Sequence, residues 1–380
     1  MRKGNKPLYM EIIDYLKGKI HENELQPEDK LPTEADLAEK FDVSRITSNR
    51  ALVELEREGL IYRVRGSGSF VAPKEDESNI VNVKTNKIIG LVLPFESFRG
   101  GVVDTIQGAT EFLGEHGYYL SVHSAKESHE KEKNIIEKLV NEGFLGVIYY
   151  PNFNNKNLDL INRLYVENYP IVTIDKYFDS IPISYVISDN FEGGYLATEH
   201  LINLNHKNIS FVSGIKMEER MSIRDRYFGY FKALNENDIK INPEIHRFVY
   251  NSELNGKMDV FNSEHTEKIR KIISDLIDNG VTAIVAENDY LAIVLQRVCG
   301  LMDINVPQEM SIVGFDNLDL SDKVNLPLTT VEQNFHKIGQ KAAEILIKSI
   351  ENNKYNYDQV EQPVELIKRK STAECKTGNS

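Results

Sequence analysis

Apolar residues recur at helical spacing from the start of the chain. Leu8, Ile12, Ile13, Leu16 and Ile20 share one face and predict a first helix over 8–22, followed by a polar loop from Asn23 to Lys30. Thr33 then stands three positions before Asp36, the spacing at which a hydroxyl caps one orphan N–H and a carboxylate answers with another, and Leu37, Ala38 and Phe41 give the second helix its apolar face. Ser44 offers a further cap after only Asp42 and Val43. A third helix is predicted from Arg45 to Glu58, stopped by Gly59. So short a connection forces the two helices to cross steeply, as in a helix-turn-helix. Beyond it, Leu60 to Arg65 and Ser69 to Val71 alternate apolar and polar or basic residues around Gly66-Ser67-Gly68, predicting a two-stranded wing.

The polar half of this pattern carries chemistry. At 100° per residue, Thr47, Ala51 and Leu55 turn inward on the third helix, while Arg45, Ile46, Asn49 and Arg50 face outward near its N-terminus. That outward side holds two cations and an amide and no acid. Arg and Asn have the fork geometries that read guanine and adenine edges, and a helix N-terminus adds N–H donors that suit phosphate. Arg63 and Arg65 point the same way on the wing, and Gly66 lets backbone approach a phosphate or minor groove.

Ala72 to Asn79 is charged and aperiodic, which predicts a linker, and order returns at Ile88. From there short apolar runs alternate with amphipathic stretches. Strands are predicted at Ile88–Leu93, Tyr119–Val122, Gly146–Tyr150, Pro170–Ile174, Ile209–Val212, Arg247–Tyr250, Ala283–Val285 and Ser311–Phe315. Between them fall helices near 102–116, 130–142, 158–167, 193–204, 225–237 and 267–279, and one from Tyr290. Wholly apolar strands separated by helices mean a parallel sheet covered on both faces. About 280 residues of this repeat exceed one ordinary sheet, so two similar lobes are expected. The fold class is α/β: an N-terminal winged helix and a two-lobed, doubly wound parallel-sheet body. The boundaries are 1–72 for the reader, 73–87 for the linker, 88–372 for the two-lobed body and 373–380 for a tail.

Composition narrows the function. The net charge of −13 argues against general coating of nucleic acid, and residues 1–72 hold twelve Lys and Arg against thirteen Asp and Glu. DNA binding would therefore rest on the local patch of Arg45, Arg50, Arg63 and Arg65. Cys299 and Cys375 are the only cysteines, which excludes a disulfide framework and a four-cysteine zinc site and leaves two free thiols. His200 and His206 have no second ligand at useful spacing and read as packing or surface residues. Neither an export signal nor a membrane span is expected, and the cytoplasm is the expected compartment. Gly66-x-Gly68 lacks the third glycine of a dinucleotide fingerprint, and no phosphate-loop motif occurs. No catalytic residue, metal or cofactor is expected.

Two resemblances sharpen the reading. Leu31, Pro32, Glu34, Leu37, Ala38, Val43, Ser44, Arg45, Thr47, Gly59, Leu60, Ile61, Gly66, Gly68, Phe70 and Val71 closely resemble the winged-helix pattern of the GntR family. The resemblance implies DNA contact by Arg45 and Thr47 first, then Asn49, Arg50 and Gly66. Ala35 stands where many members carry a DNA-contacting Arg, and Asn49-Arg50 replaces the usual Arg at position 49, so the base preference of better-known members does not transfer. Residues 88–372 resemble the LacI/GalR effector domain, akin to periplasmic sugar-binding proteins, through Asp189-Asn190-x-x-Gly193-Gly194, Arg226-x-x-Gly229-Tyr230, Asn288-Asp289, Gly314-Phe315-Asp316 and Pro327-Leu328-Thr329-Thr330-Val331-x-Gln333. It implies lobes joined by three crossovers, near Asp189, Gln333 and Glu361. A wing-type reader on such a body is similar to the arabinose-responsive repressors.

Ligands of open α/β sheets lie beyond the carboxyl ends of the strands, which selects Asp175, Lys176, Asn288, Asp289, Asp316 and Phe95 to Arg99. The family resemblance makes Arg226 and Asp316 the main effector pair, joined by Arg220, Asn288 and Asp175, with Phe95, Phe98 and Ser124 ranked behind them. Asp189 reads as a helix cap. The expected function is a homodimeric, DNA-binding repressor of carbohydrate-use genes that leaves double-stranded operator DNA when it binds a sugar, with L-arabinose the first candidate. The alternatives are an activator or corepressor-dependent regulator, or a cytosolic sugar-binding module whose N-terminal domain meets protein.

Overall fold

The structure, a computed structural model, describes residues 7–64, 67–73, 87–95, 101–152, 156–214, 220–240, 242–245, 247–248, 263–352 and 357–375. The winged helix is built from α1 (Leu8–His21), α2 (Glu34–Phe41), α3 (Arg45–Arg57) and the antiparallel pair β1 (Ile61–Val64) and β2 (Gly68–Val71). Both expected caps are present. The Thr33 hydroxyl accepts from Asp36 N while the Asp36 carboxylate accepts from Thr33 N, and Ser44 accepts from Thr47 N. Tyr9, Ile12 and Leu16 of α1 close over Leu37, Leu52 and Leu55, so the first helix covers the other two.

Lobe 1 begins with β3 (Ile88–Leu93), α4 (Gly101–Glu115), β4 (Tyr119–Ser124), α5 (His129–Asn141), β5 (Gly146–Tyr149), α6 (Leu158–Val166), β6 (Ile171–Ile174) and β7 (Ser184–Ser188). The chain then crosses into lobe 2 at Asp189, whose side chain caps α7 (Asn190–Asn203) by accepting from Glu192 N. Lobe 2 continues with β8 (Ile209–Ser213), α8 (Met221–Glu236), β9 (Arg247–Phe248), α9 (Ser263–Asp278), β10 (Ala283–Ala286), α10 (Asp289–Leu301), β11 (Ser311–Asp316), α11 (Asp319–Lys323) and β12 (Thr329–Glu332). After Gln333, α12 (Phe335–Glu351) and β13 (Gln359–Gln362) return to lobe 1, and β14 (Glu365–Ile367) ends in lobe 2. The three crossovers thus fall where they are expected.

The strand orders are β13-β7-β6-β5-β3-β4 in lobe 1 and β14-β12-β11-β10-β8-β9 in lobe 2. Every pair is parallel except β12 with β14. The elements β7, β12, β13, β14, α11 and α12 are not among those the apolar pattern predicts. The four strands carry Ser, Thr, Gln or Glu among their apolar residues, so they lack the apolar run that marks the central strands. His200 and His206 pack: His206 meets Thr282, Ser311 and the Ala373 carbonyl, and His200 meets Thr372. Residues 373–375 are consequently held against lobe 2, with Cys375 N donating to Leu204 O.

Candidate functional site

Two surfaces gather the residues singled out above. The first is α3. Arg45 is exposed at its N-terminus, but Ile46 and Asn49, expected to face outward, are 9 % and 2 % exposed. The physical reason is that lobe 1 lies against this face. Asn49 Nδ2 donates to the carbonyls of Val140 and Asn141 at 3.2 and 3.3 Å, and Ile46 joins a lobe 1 apolar cluster. Arg50 Nη1 donates to Asn168 O at 2.6 Å, with its guanidinium 4.0 Å above the Tyr9 ring. Arg63 is turned inward too, donating to Asn49 Oδ1 at 2.9 Å and pairing with Glu34. Thr47 is buried, its hydroxyl 3.1 Å from that of Ser44. Arg65 and Gly66 lie outside the described residues.

The second surface is the cleft between the lobes, where several strand ends converge. Arg226 is buried on α8 and held on three sides: its Nε donates to Asn190 Oδ1 at 2.9 Å, Nη1 donates to Glu287 O at 2.5 Å, and the guanidinium lies 3.6 Å above the Phe315 ring. This fixes its plane, and Nη2 stands 3.8 Å from Asp316 Oδ1. Asp316 closes β11 with φ +114°, a conformation that L residues avoid and that is retained where surrounding structure enforces it. Gln333 Nε2, at the second crossover, donates to Asp316 Oδ1 at 2.5 Å. Burial pushes the Asp316 carboxyl up to about 7, Arg226 opposing and the Asp289 and Asp175 carboxylates adding.

Lobe 1 supplies the facing wall. Asp175, at φ +64°, and Lys176 follow β6, and Tyr150 follows β5 with its ring 5.1 Å from that of Phe95. The Lys176 ammonium is buried, donating to Pro151 O at 2.6 Å and Asn152 O at 2.8 Å. Burial, then Arg220, brings it down to about 8. Arg220, the N-cap residue of α8, therefore reaches across the cleft electrostatically. Ser124 closes β4 with its hydroxyl on the Phe95 carbonyl. Phe98 lies outside the described residues.

Asn288 is committed elsewhere in part, because its Oδ1 accepts from Leu291 N and caps α10. Asp289 is wholly internal: it accepts from Leu318 N, the Ser321 hydroxyl and the Thr330 hydroxyl, and so shapes the turn after β11. Glu287 is absent from the sequence reading. It is 4 % exposed, accepts from the Ser213 hydroxyl and Gly214 N, and burial raises its carboxyl, opposed by Ser213, Arg220 and Arg226. Its place immediately after β10 was the available signal.

A winged helix in front of a cleft whose walls alternate guanidinium, ammonium, carboxylate and aromatic groups defines a ligand-controlled transcription regulator. The comparisons agree at each level. The family model for bacterial regulatory proteins of the gntR family matches residues 8–71, and the one for the periplasmic binding protein-like domain matches residues 198–372. An arabinose metabolism transcriptional repressor from Halalkalibacterium halodurans is 32% identical over 377 residues, 97% of each chain. One from Geobacillus stearothermophilus is 30% identical over 383 residues, covering 98% of this chain and 100% of that protein. A crystal structure of a LacI family transcriptional regulator from Enterococcus faecium, with bound ribose, covers 76% of this chain and 100% of its own at 25% identity and a TM-score of 0.63. The chain belongs to the same family of GntR-type transcriptional repressors as the first two. These relatives are DNA-binding regulators, not enzymes.

Proposed function

We propose that this repressor is a homodimer in the cytoplasm that holds a pseudo-palindromic operator through two readers (residues 1–72) and releases it when a sugar enters the cleft of the two-lobed body (88–372). Two-fold protein symmetry calls for matched half-sites. In the reader, Arg45, Thr47, Asn49, Arg50, Arg63, Arg65 and Gly66 make the DNA contacts. In the cleft, Arg226 and Asp316 hold the sugar, with Arg220, Asp175, Asn288 and Phe98 as companions, to which Lys176 and Glu287 are added.

The observation that carries this reading is the Arg226 plane clamped on Phe315 beside Asp316, with Asp175 and Lys176 on the opposite wall. Polyhydroxy ligands need donors and acceptors in alternation and a flat apolar face for their C–H side. Relatives named for arabinose metabolism make L-arabinose the first candidate. Thermal and chemical melts test it: L-arabinose at a hundredfold above its Kd should stabilise the body by about 2.7 kcal/mol. Arg226→Ala should abolish that shift while leaving affinity for a duplex selected by the wild-type protein unchanged. A full shift in Arg226→Ala would remove this residue from the site, and none with any pentose, hexose or sugar phosphate would refute a sugar effector.

A further inference from the structure

The contact between α3 and lobe 1 is chemically specific. Asn49 and Arg50 meet the last turn of α5 and the residue after the C-cap of α6: Val140 and Asn141 carbonyls on one side, the Asn168 carbonyl on the other. Helix C-termini expose carbonyls without in-helix partners and carry the negative end of the macrodipole. Glu167, the C-cap of α6, adds a carboxylate close to Ser44 and Arg50. Lobe 1 thus offers the reader acceptors and negative potential, as a DNA groove does. With both hydrogens of its nitrogen on the two carbonyls and Arg63 on its oxygen, the Asn49 amide has no N–H left to donate and cannot make the paired donor-and-acceptor contact that reads an adenine edge. Apolar packing seals the contact, Ile46 entering the lobe 1 cluster and Val53 lying against Gly143.

A base pair at hydrogen-bond distance from Asn49 would occupy the space of these carbonyls, so the docked and DNA-bound arrangements exclude one another. We infer that this is an autoinhibited arrangement, in which lobe 1 of the same chain occupies the base-reading face of α3 and operator binding requires α3 to leave it. The inference rests on the proposed reading of that face as the DNA contact.

Cross-linking tests it in the full-length chain. A Cβ placed on Gly143 would stand 3.9 Å from Val53 Cβ, within the span a disulfide bridges. Val53→Cys with Gly143→Cys should close on mild oxidation, read as a mobility shift on a non-reducing gel. The oxidised protein should lose at least about a hundredfold in affinity, about 2.7 kcal/mol, for a duplex selected from a random pool by wild type, and reductant should restore it. Since Cys at φ +82° is strained, the reduced double variant and each single variant are the folding controls. A second variant acts from lobe 1 alone: Glu167→Lys, placing a cation opposite Arg50, should tighten duplex binding, by about tenfold if the docked form holds nine-tenths of the population. Oxidised protein that binds the duplex normally, or a reduced variant that binds but never cross-links, overturns the inference. A cross-link that forms in a chain selecting no duplex at all overturns the DNA reading instead, and leaves the contact a purely structural one.

Discussion

At the scale of the residue, the charged groups between the lobes are held in place by their neighbours. Arg226 cannot rotate without losing Asn190, the Glu287 carbonyl and the Phe315 face together. Asp316 shows the cost of such a site. Its carboxyl titrates near 3.8 when free and is pushed up to about 7 by burial, so between those values the folded chain binds a proton that the unfolded chain has released. Stability from this group is therefore present at low pH and lost as pH rises from about 4 towards 7. Asp316→Asn removes the buried charge, and at pH 8 it should be more stable than wild type by up to about 4 kcal/mol, with little difference at pH 4. Urea melts at the two pH values decide, and parallel wild-type and variant curves would mean that Asp316 does not feel its burial. Arg226 and Asp316 were legible through the family pattern. Glu287 and the burial of Lys176 were not, because the position of a residue after a strand does not tell which neighbours enclose it.

At the scale of the element, both lobes use glycine to bring two helices into backbone contact. A Cβ on Gly194 would lie 2.0 Å from Arg226 O and one on Gly229 1.9 Å from Phe191 O, while in lobe 1 a Cβ on Gly108 or Gly339 would lie 2.0 Å from His336 O or Thr105 O. The pairs α7 with α8 and α4 with α12 are thus equivalent joints, and the first of them carries Arg226. Gly229→Ala should force α8 away from α7, destabilising the chain by about 1 to 3 kcal/mol, and should weaken sugar binding at least about tenfold. Calorimetric titration against Gly108→Ala, which strains the other joint, separates the two effects: equal loss of sugar affinity in both would mean that α7–α8 spacing does not position Arg226. The long helices and central strands were readable because each carries its own apolar period. The strands beside the crossovers were not, since β7 and β13 owe their state to the neighbours they pair with, Tyr185 to Ser188 lying beside Gln359 to Gln362. The helix α12 does carry the pattern, in Ile338, Ala342, Ile345 and Leu346, and was obscured only by the motifs on either side of it.

At the scale of the whole molecule, three crossovers join the lobes and one crossover residue, Gln333, is bonded both to Asp316 at the cleft and to Ser188 in lobe 1. Any sugar that closes the cleft therefore acts on the joint between the lobes. By linkage, a sugar that weakens operator binding must itself be bound more weakly on the operator, by the same factor. With a net charge of −13, the chain must hold DNA through a few arginines against an overall repulsion. Affinity for the selected duplex should accordingly fall by about 10³ to 10⁵ between 50 and 200 mM salt if a dimer makes six to ten phosphate contacts. A fluorescence-anisotropy series that stays flat across that range would favour the module that meets protein through its N-terminal domain.

By itself the sequence determined the elements with their own period, the capped helix-turn-helix and the two-lobed α/β body, because these depend on local spacing and on motifs that survive in one dimension. Only the tertiary structure decided what lies against them. Burial is a property of neighbours brought from far along the chain, and it raised the Asp316 carboxyl, enclosed Glu287, and set Asn49 against the end of a helix some ninety residues away.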